Sequence, residues 1–237
     1  MGAEQDDILV TEGDAGQTQN LSATAPEYRI RKRWFYQMNF DIEFPYNDDT
    51  VYLAYSRPYT YTKILAEMFS IEENILKMPM LNQSDPTETG KRDFKLKIVR
   101  KGIVYERRLL CRTICGLPVP HIQVTSSVNS MVEFKKRKTI FITARVHPGE
   151  TNASTVYEGF MKGLFQGDPI ESTVLLGHYI FRTIPCLNPD GVVCGNYRSS
   201  LAGVDLNRQW ICPNKELHPE VYYTKALMHQ ITNRDNK

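Results

Sequence analysis

The rhythm of apolar and polar positions changes twice along this chain. Residues 1–26 carry almost no aromatic side chains and are rich in Gly, Gln, Thr and Ala. Such a stretch cannot bury enough apolar surface to offset the entropy of ordering and is expected to be a disordered tail. From Tyr28 to about residue 135, short apolar runs bounded by turn residues predict mainly β-structure. The runs are residues 34–40, dense in aromatics; residues 50–55, after the turn-forming Asn47, Asp48 and Asp49; residues 95–99, alternating apolar and basic; and, less regularly, residues 119–125 around Pro118 and Pro120. One helix is predicted among them, opening at Thr60 or Thr62 and running through Phe69. Several strands at short spacing predict a small β-sandwich or barrel for residues 27–136.

After residue 138 the grammar is different. Residues 139–144 form a continuous β-rich run of the kind found in buried parallel strands. A Pro-Gly loop follows, then a helical pattern at about 153–165, a strand pattern at 177–185, and a helix near 218–228. Strand, helix, strand is the opening of an α/β sheet, in which ligands bind beyond the carboxyl ends of the strands. The fold class expected is therefore α/β: a small N-terminal β-sandwich to residue 136, then a partial α/β domain over 137–237.

Composition narrows the function classes. The 237 residues hold 29 Lys and Arg against 27 Asp and Glu, a net charge of +2, which argues against a protein whose main task is to hold nucleic acid by its phosphates. The basic runs at 29–33 and 135–138 are short and suit a solvated strand end or turn. No apolar stretch reaches the length of a membrane span. The acidic start has no secretory pattern, and Asp6 stands where a myristoylation motif wants Ser or Thr. These features predict a cytoplasmic protein. Five cysteines, an odd number and widely spread, are expected to be reduced and mostly buried. Cys111 and Cys115 lack the second pair that a structural zinc site needs.

Three motifs carry chemistry. His147-Pro148-Gly149-Glu150 directly follows the continuous strand, so an imidazole and a carboxylate on one tight turn can face the same ion, a donor set that suits zinc. A catalytic zinc takes three protein ligands and leaves a fourth position to water, whose pKa it lowers toward about 7. The spacing alone is common by chance. Asn188-Pro189-Asp190-Gly191 follows the next strand and reads as a strong turn. Then Arg198 and Arg208, the latter beside Asn207, lie in a glycine-punctuated segment. They form either an anion-recognition set, in which the planar guanidinium fork grips a carboxylate, or a surface ion-pair network.

Taken in order and spacing, residues 147–150, 188–198 and 203–210 resemble the M14 zinc metallocarboxypeptidases, and most closely the cytosolic carboxypeptidase branch. The upstream segments 44–52 and 58–62 are similar to the β-rich domain that precedes catalysis in that branch. The resemblance covers roughly residues 28–237. It implies a Zn²⁺ cofactor with His147 and Glu150 as its first two ligands, Arg198 as the group that polarises the scissile carbonyl, and Asn207 with Arg208 as the grip on the substrate's terminal carboxylate. It also implies substrates that are peptide or protein C-terminal tails, glutamate tails such as those of tubulin among them, and a place in the cytosol or on microtubules. The branch has a third histidine ligand and a glutamate base on later elements. His121, His178, His218 and His229 are poor candidates for that third ligand, and the chain is expected to be a truncated form, inactive alone. The other expectation is a non-catalytic short product that binds peptide tails or a partner.

Overall fold

The structure is a computed structural model that describes residues 39–79, 87–90, 94–128 and 132–235, with the backbone alone at 87–90, 234 and 235. The expected tail at 1–26, the basic run 29–33 and residues 34–38 of the aromatic run lie outside the described residues. By its contacts the chain divides into two units, residues 1–52 and 53–237. In the first, residues 39–52 are exposed and contain no strand.

The second unit opens with helix α1 (Tyr61–Lys77). The side chain of Thr60 caps it by accepting from the Lys63 amide at 3.2 Å, and Ile64, Met68, Ile71 and Ile75 supply the buried face at helical spacing. It ends at Met78, which is extended because Pro79 follows and disfavours the helical conformation there. Five strands come next in the chain, β1 (Thr87–Gly90), β2 (Lys95–Arg100), β3 (Ile103–Arg112), β4 (Pro118–Ser126) and β5 (Lys138–Thr143). They are followed by α2 (Thr151–Gln166), α3 (Pro169–His178), β6 (Tyr179–Ile184), α4 (Pro189–Cys194) and α5 (Pro219–Asp235).

All six described strands belong to one sheet in the order β1-β2-β3-β4-β6-β5. Every neighbour pair is antiparallel except β5 with β6, which run parallel. The β2–β3 hairpin closes on Lys101 and Gly102, both at positive φ, the backbone that matches the strand twist in a two-residue turn. Ile98, Tyr105, Val124, Phe181 and Ile140 are register partners across five strands. They share one face, and side chains of α1, α2 and α3 cover it. Burying a side chain of this size contributes roughly 1.5–3 kcal/mol. On β4 and β6, Val119 and Ile184 have the opposite parity and point to the other face. There, with Cys111 and Leu187, they meet Trp210 and, from α5, Tyr223.

Several expectations are corrected. Residues 50–55 form no strand; their β-propensity is expressed only against a partner strand, and none of the described strands pairs with them. Strands β1–β4 do not close into a sandwich of their own, because β4 bonds to β6 and the hydrogen bonds run across the expected boundary near residue 136. Alternation along a strand fixes which side chains face the core, and it does not fix the partner. Strand β3, whose centre is charged at Glu106, Arg107 and Arg108, was absent from the apolar pattern. Residues 177 and 178 end helix α3, which Asp168 caps and Pro169 opens. Of the cysteines, Cys111 and Cys186 are buried, whereas Cys115, Cys194 and Cys212 are exposed, and all are free thiols. The exposed three lie at a turn, at the end of α4 and in the loop before α5.

Glu220, in the first turn of α5, is only 2% exposed. Burial, reinforced by the charge of Asp190, pushes its carboxyl from near 4.5 up to about 7. An acid whose pKa is raised by folding binds its proton more tightly in the native state, so its contribution is complete below about pH 4.5 and lost as pH rises through 7. Between pH 5 and 8 the unfolding free energy is expected to fall by roughly 2–3 kcal/mol on this account. Urea titrations at both pH values check it: Glu220→Gln should flatten the difference, and an equal slope in both proteins would remove Glu220 as its source.

Candidate metal centre

The parallel pair β5 and β6 delivers its two following loops to one edge of the sheet. The ladder continues past the strands, with the Ala144 amide donating to the Ile184 carbonyl and the Leu187 amide to the Ala144 carbonyl, both at 2.9 Å. Asn188 Nδ2 then donates to the Val146 carbonyl at 3.3 Å. The segment expected to be a simple turn, residues 188–191, instead starts helix α4. Asn188 is the cap, its Oδ1 accepting from the Gly191 amide at 3.0 Å, and Pro189 takes the first helical position. Gly195 ends the helix at φ 73°, the left-handed cap that glycine adopts without strain.

The two loops fit together closely. The Gly149 amide donates to the Tyr197 carbonyl at 2.7 Å. A Cβ on Gly149 would lie 2.6 Å from Tyr197 Cδ2 and 2.8 Å from that carbonyl oxygen. A Cβ on Gly191 would lie 2.4 Å from Pro148 Cγ. Both glycines are therefore required by close approach.

His147 stands between two carboxylates. Its Nδ1 is 3.0 Å from Glu150 Oε1, and its Nε2 is 3.0 Å from Asp205 Oδ1. Asp205 also accepts from Arg198 Nε at 2.8 Å and from the Asn207 amide at 2.8 Å. Burial alone would raise the Asp205 pKa, but these donors hold the carboxyl below its usual range. Asp205 thus holds the ring at Nε2, and the other nitrogen, Nδ1, faces Glu150.

Glu150 is the N-cap residue of α2, yet its side chain makes no capping hydrogen bond. Its carboxylate is 47% exposed and open, against 9% for His147. A ring nitrogen and an open carboxylate side by side on one turn suit a cation. Two ligands of one tetrahedral zinc stand about 3.3 Å apart, close to the separation seen here. These two residues fit a zinc as two of the three protein ligands that a catalytic site uses.

Asn207 and Arg208 lie in a single 3₁₀ turn, Leu206–Arg208, that Asp205 caps. Asn207 Oδ1 is occupied by Trp210 Nε1 at 3.0 Å, which leaves its NH₂ for a ligand. Arg208 is exposed, and among the described residues no carboxylate is within ion-pair distance of it. The structure thus gathers His147, Arg198 and the Asn207 amide on Asp205 and places Glu150 on the other nitrogen of His147. Asp205 was missed by sequence reasoning, although it lies inside segment 203–210; an acid two residues before an Asn-Arg pair was the available signal.

None of the other histidines approaches this point through a recorded contact. His121 is buried on β4, stacked on Phe141. His178 ends α3, its ring bonded to the Val174 carbonyl. His218 accepts from the Asn214 amide at 3.1 Å ahead of α5, and His229 is exposed on that helix. Among the described residues no set of three His, Cys, Asp or Glu side chains is arranged to hold a metal. Asp205 is spent on the far nitrogen of His147.

The zinc carboxypeptidase family model (Peptidase_M14) matches residues 106–235, more than half of the chain. Cytosolic carboxypeptidase 4 of Mus musculus is 37% identical over 203 residues, 84% of this chain and 16% of the relative. Cytosolic carboxypeptidase 1 of Homo sapiens is 35% identical over 202 residues, 83% of this chain and 14% of the relative. The chain therefore spans about a sixth of the length of the curated relatives it matches. Among solved structures, a putative carboxypeptidase A from Shewanella denitrificans is similar with a TM-score of 0.53 and 31% identity, covering 73% of this chain and 37% of that one. A metallo-carboxypeptidase from Burkholderia cenocepacia is similar with a TM-score of 0.54 and 28% identity, covering 73% and 38%.

Proposed function

Belonging as it does to the M14 zinc carboxypeptidases, a hydrolase family, the chain holds zinc through His147 and Glu150, we propose, and serves to remove C-terminal residues from peptide or protein tails. The observation that carries this reading is His147 Nδ1 at 3.0 Å from the open Glu150 carboxylate, with the ring's other nitrogen held by Asp205 at 3.0 Å. Zinc bound there supplies Lewis acidity toward a carbonyl and lowers the pKa of water. Arg198, steadied by Asp205 through Nε, directs the rest of its guanidinium at the negative charge that grows on a carbonyl oxygen during attack. The Asn207 NH₂ and the Arg208 fork hold the substrate's free carboxylate, which selects chain ends.

The substrates proposed are glutamates at the ends of acidic tails, tubulin among them, and the setting is the cytosol and its microtubules. Two features support this: the cationic Arg198 and Arg208, and the cytosolic carboxypeptidases it resembles. Among the described residues no helix is long and apolar enough to cross a membrane. The third zinc ligand and the general base are proposed to lie outside these 237 residues, which alone bind zinc weakly and are inactive. Dialysis of the 237-residue chain followed by metal analysis, with an assay on a glutamate-tailed peptide, tests this. Substoichiometric zinc and no hydrolysis are expected, and stoichiometric retention or turnover would show that a third ligand is present here.

The two-ligand set also favours a second reading, a non-catalytic product that binds peptide tails or a partner. Tail binding without hydrolysis in the longest natural form of the protein would select it.

A further inference from the structure

Arg145 has a conformation that residues with a Cβ seldom adopt. It sits between β5 and the His147–Glu150 turn at φ 54°, in the left-handed region where glycine is the inexpensive choice. Its side chain is nevertheless long, charged and buried, with 3% of the residue exposed. A strained backbone and a desolvated guanidinium at one position indicate that the side chain itself is in use.

Its contacts show the use. Nε donates to the Pro148 carbonyl at 2.7 Å, and Nη1 donates to Ser154 Oγ at 2.8 Å. Ser154 is buried in the first turns of α2, and Pro148 lies at the centre of the metal-binding turn. One rigid fork therefore ties that turn to the helix that follows it, with His147 and Glu150 on either side of Pro148 and Gly149. Neither partner is a carboxylate, so the fork acts through directed hydrogen bonds to otherwise orphaned acceptors. Lysine would bring a point charge without the fixed angle between donors. The same turn is held on its other flanks by the bond from the Gly149 amide to the Tyr197 carbonyl and by Asn188 on the Val146 carbonyl. Arg145 is the tie on the remaining side.

We propose that Arg145 is a positioning residue that clamps the Pro148 carbonyl to Ser154 and so sets the separation of His147 and Glu150 before zinc arrives. This rests on the metal reading above for its purpose, while the clamp itself is testable without metal. On the full chain, amide hydrogen exchange at Gly149 and Glu150 is measured with and without zinc, and zinc affinity is measured by chelator competition, for Arg145→Gly, Arg145→Lys and Ser154→Ala. Glycine relieves the strained φ, so Arg145→Gly is expected to keep its melting temperature while exchange in the turn rises about tenfold or more. Zinc affinity should drop by roughly 10–100-fold, as when a partner behind a metal ligand is lost. Arg145→Lys and Ser154→Ala should show smaller changes confined to the turn. Unchanged exchange in the turn in all three variants overturns the clamp, and so does a rise spread evenly over β5 and β6. Loop-specific exchange with zinc affinity unaltered overturns the positioning of the ligands. An unmodified chain that takes no zinc at all instead defeats the metal reading, and the exchange data still decide the clamp.

Discussion

Replacing Asp205 by asparagine is expected to lower kcat/KM of the competent peptidase by about three orders of magnitude, the largest effect anticipated for any substitution that conserves size. The carboxylate takes three donors at once: His147 Nε2, Arg198 Nε and the Asn207 amide, all within 3.0 Å. An asparagine has a single acceptor oxygen, so its NH₂ faces either the two partners of Oδ1, His147 Nε2 and the Asn207 amide, or the partner of Oδ2, Arg198 Nε. If it faces the imidazole, Nε2 must accept, and the ring proton then sits on Nδ1, which has no lone pair left for a metal. Losing a partner of this kind weakens metal binding by roughly 10–100-fold. If it faces Arg198, the guanidinium loses its fixed direction, and removing a donor to a developing oxyanion costs about 10²–10³ in kcat. Kinetics at saturating zinc separate the two parts: the metal deficit is restored and the Arg198 deficit remains. Full recovery of activity with excess zinc would confine Asp205 to the metal side, and unchanged zinc affinity would remove it from His147.

The second large effect separates the two arginines. Arg198→Ala should lower kcat by about a hundredfold or more with little change in KM, because the charge it is proposed to meet develops fully only when the carbonyl becomes tetrahedral. Arg208→Ala should mainly raise KM, because the terminal carboxylate is charged before and during the reaction, so its partner contributes uniform binding. The Arg208 variant should also lose the preference for a free over an amidated C-terminus. Steady-state kinetics on one acidic peptide, with zinc occupancy checked in each variant, give the comparison. Equal losses of kcat at constant KM would refute the division of roles, and full activity in either variant would remove that residue from the site.

The site was legible in the sequence where chemistry depends on neighbours along the chain. His147 and Glu150 share one turn because three residues separate them, and the strand before that turn announced itself as an unbroken β-rich run. Asn207 and Arg208 are adjacent, so one turn had to carry both. Helices α1 and α2 were expected from Thr60 or Thr62 through Phe69 and over about 153–165, and they span 61–77 and 151–166, since capping and amphipathicity are local properties.

Partnership between distant segments was decided only by the tertiary structure. Strand β4 shows an acceptable alternation in isolation, but that pattern is equally compatible with a sandwich and with an edge-to-edge pairing with β6; the choice is made by hydrogen bonds between residues some sixty positions apart. Residues 50–55 have the composition of a strand and no partner among the described strands, so propensity alone left them irregular. Asp205 reached His147, and Arg145 reached the Pro148 carbonyl and Ser154, through contacts within and between the loops beyond β5 and β6. The sequence by itself determined which side chains could bind a metal and a carboxylate; packing at one sheet edge determined which way their nitrogens and oxygens point, because a hydrogen bond's direction depends on where the folded backbone sets both ends.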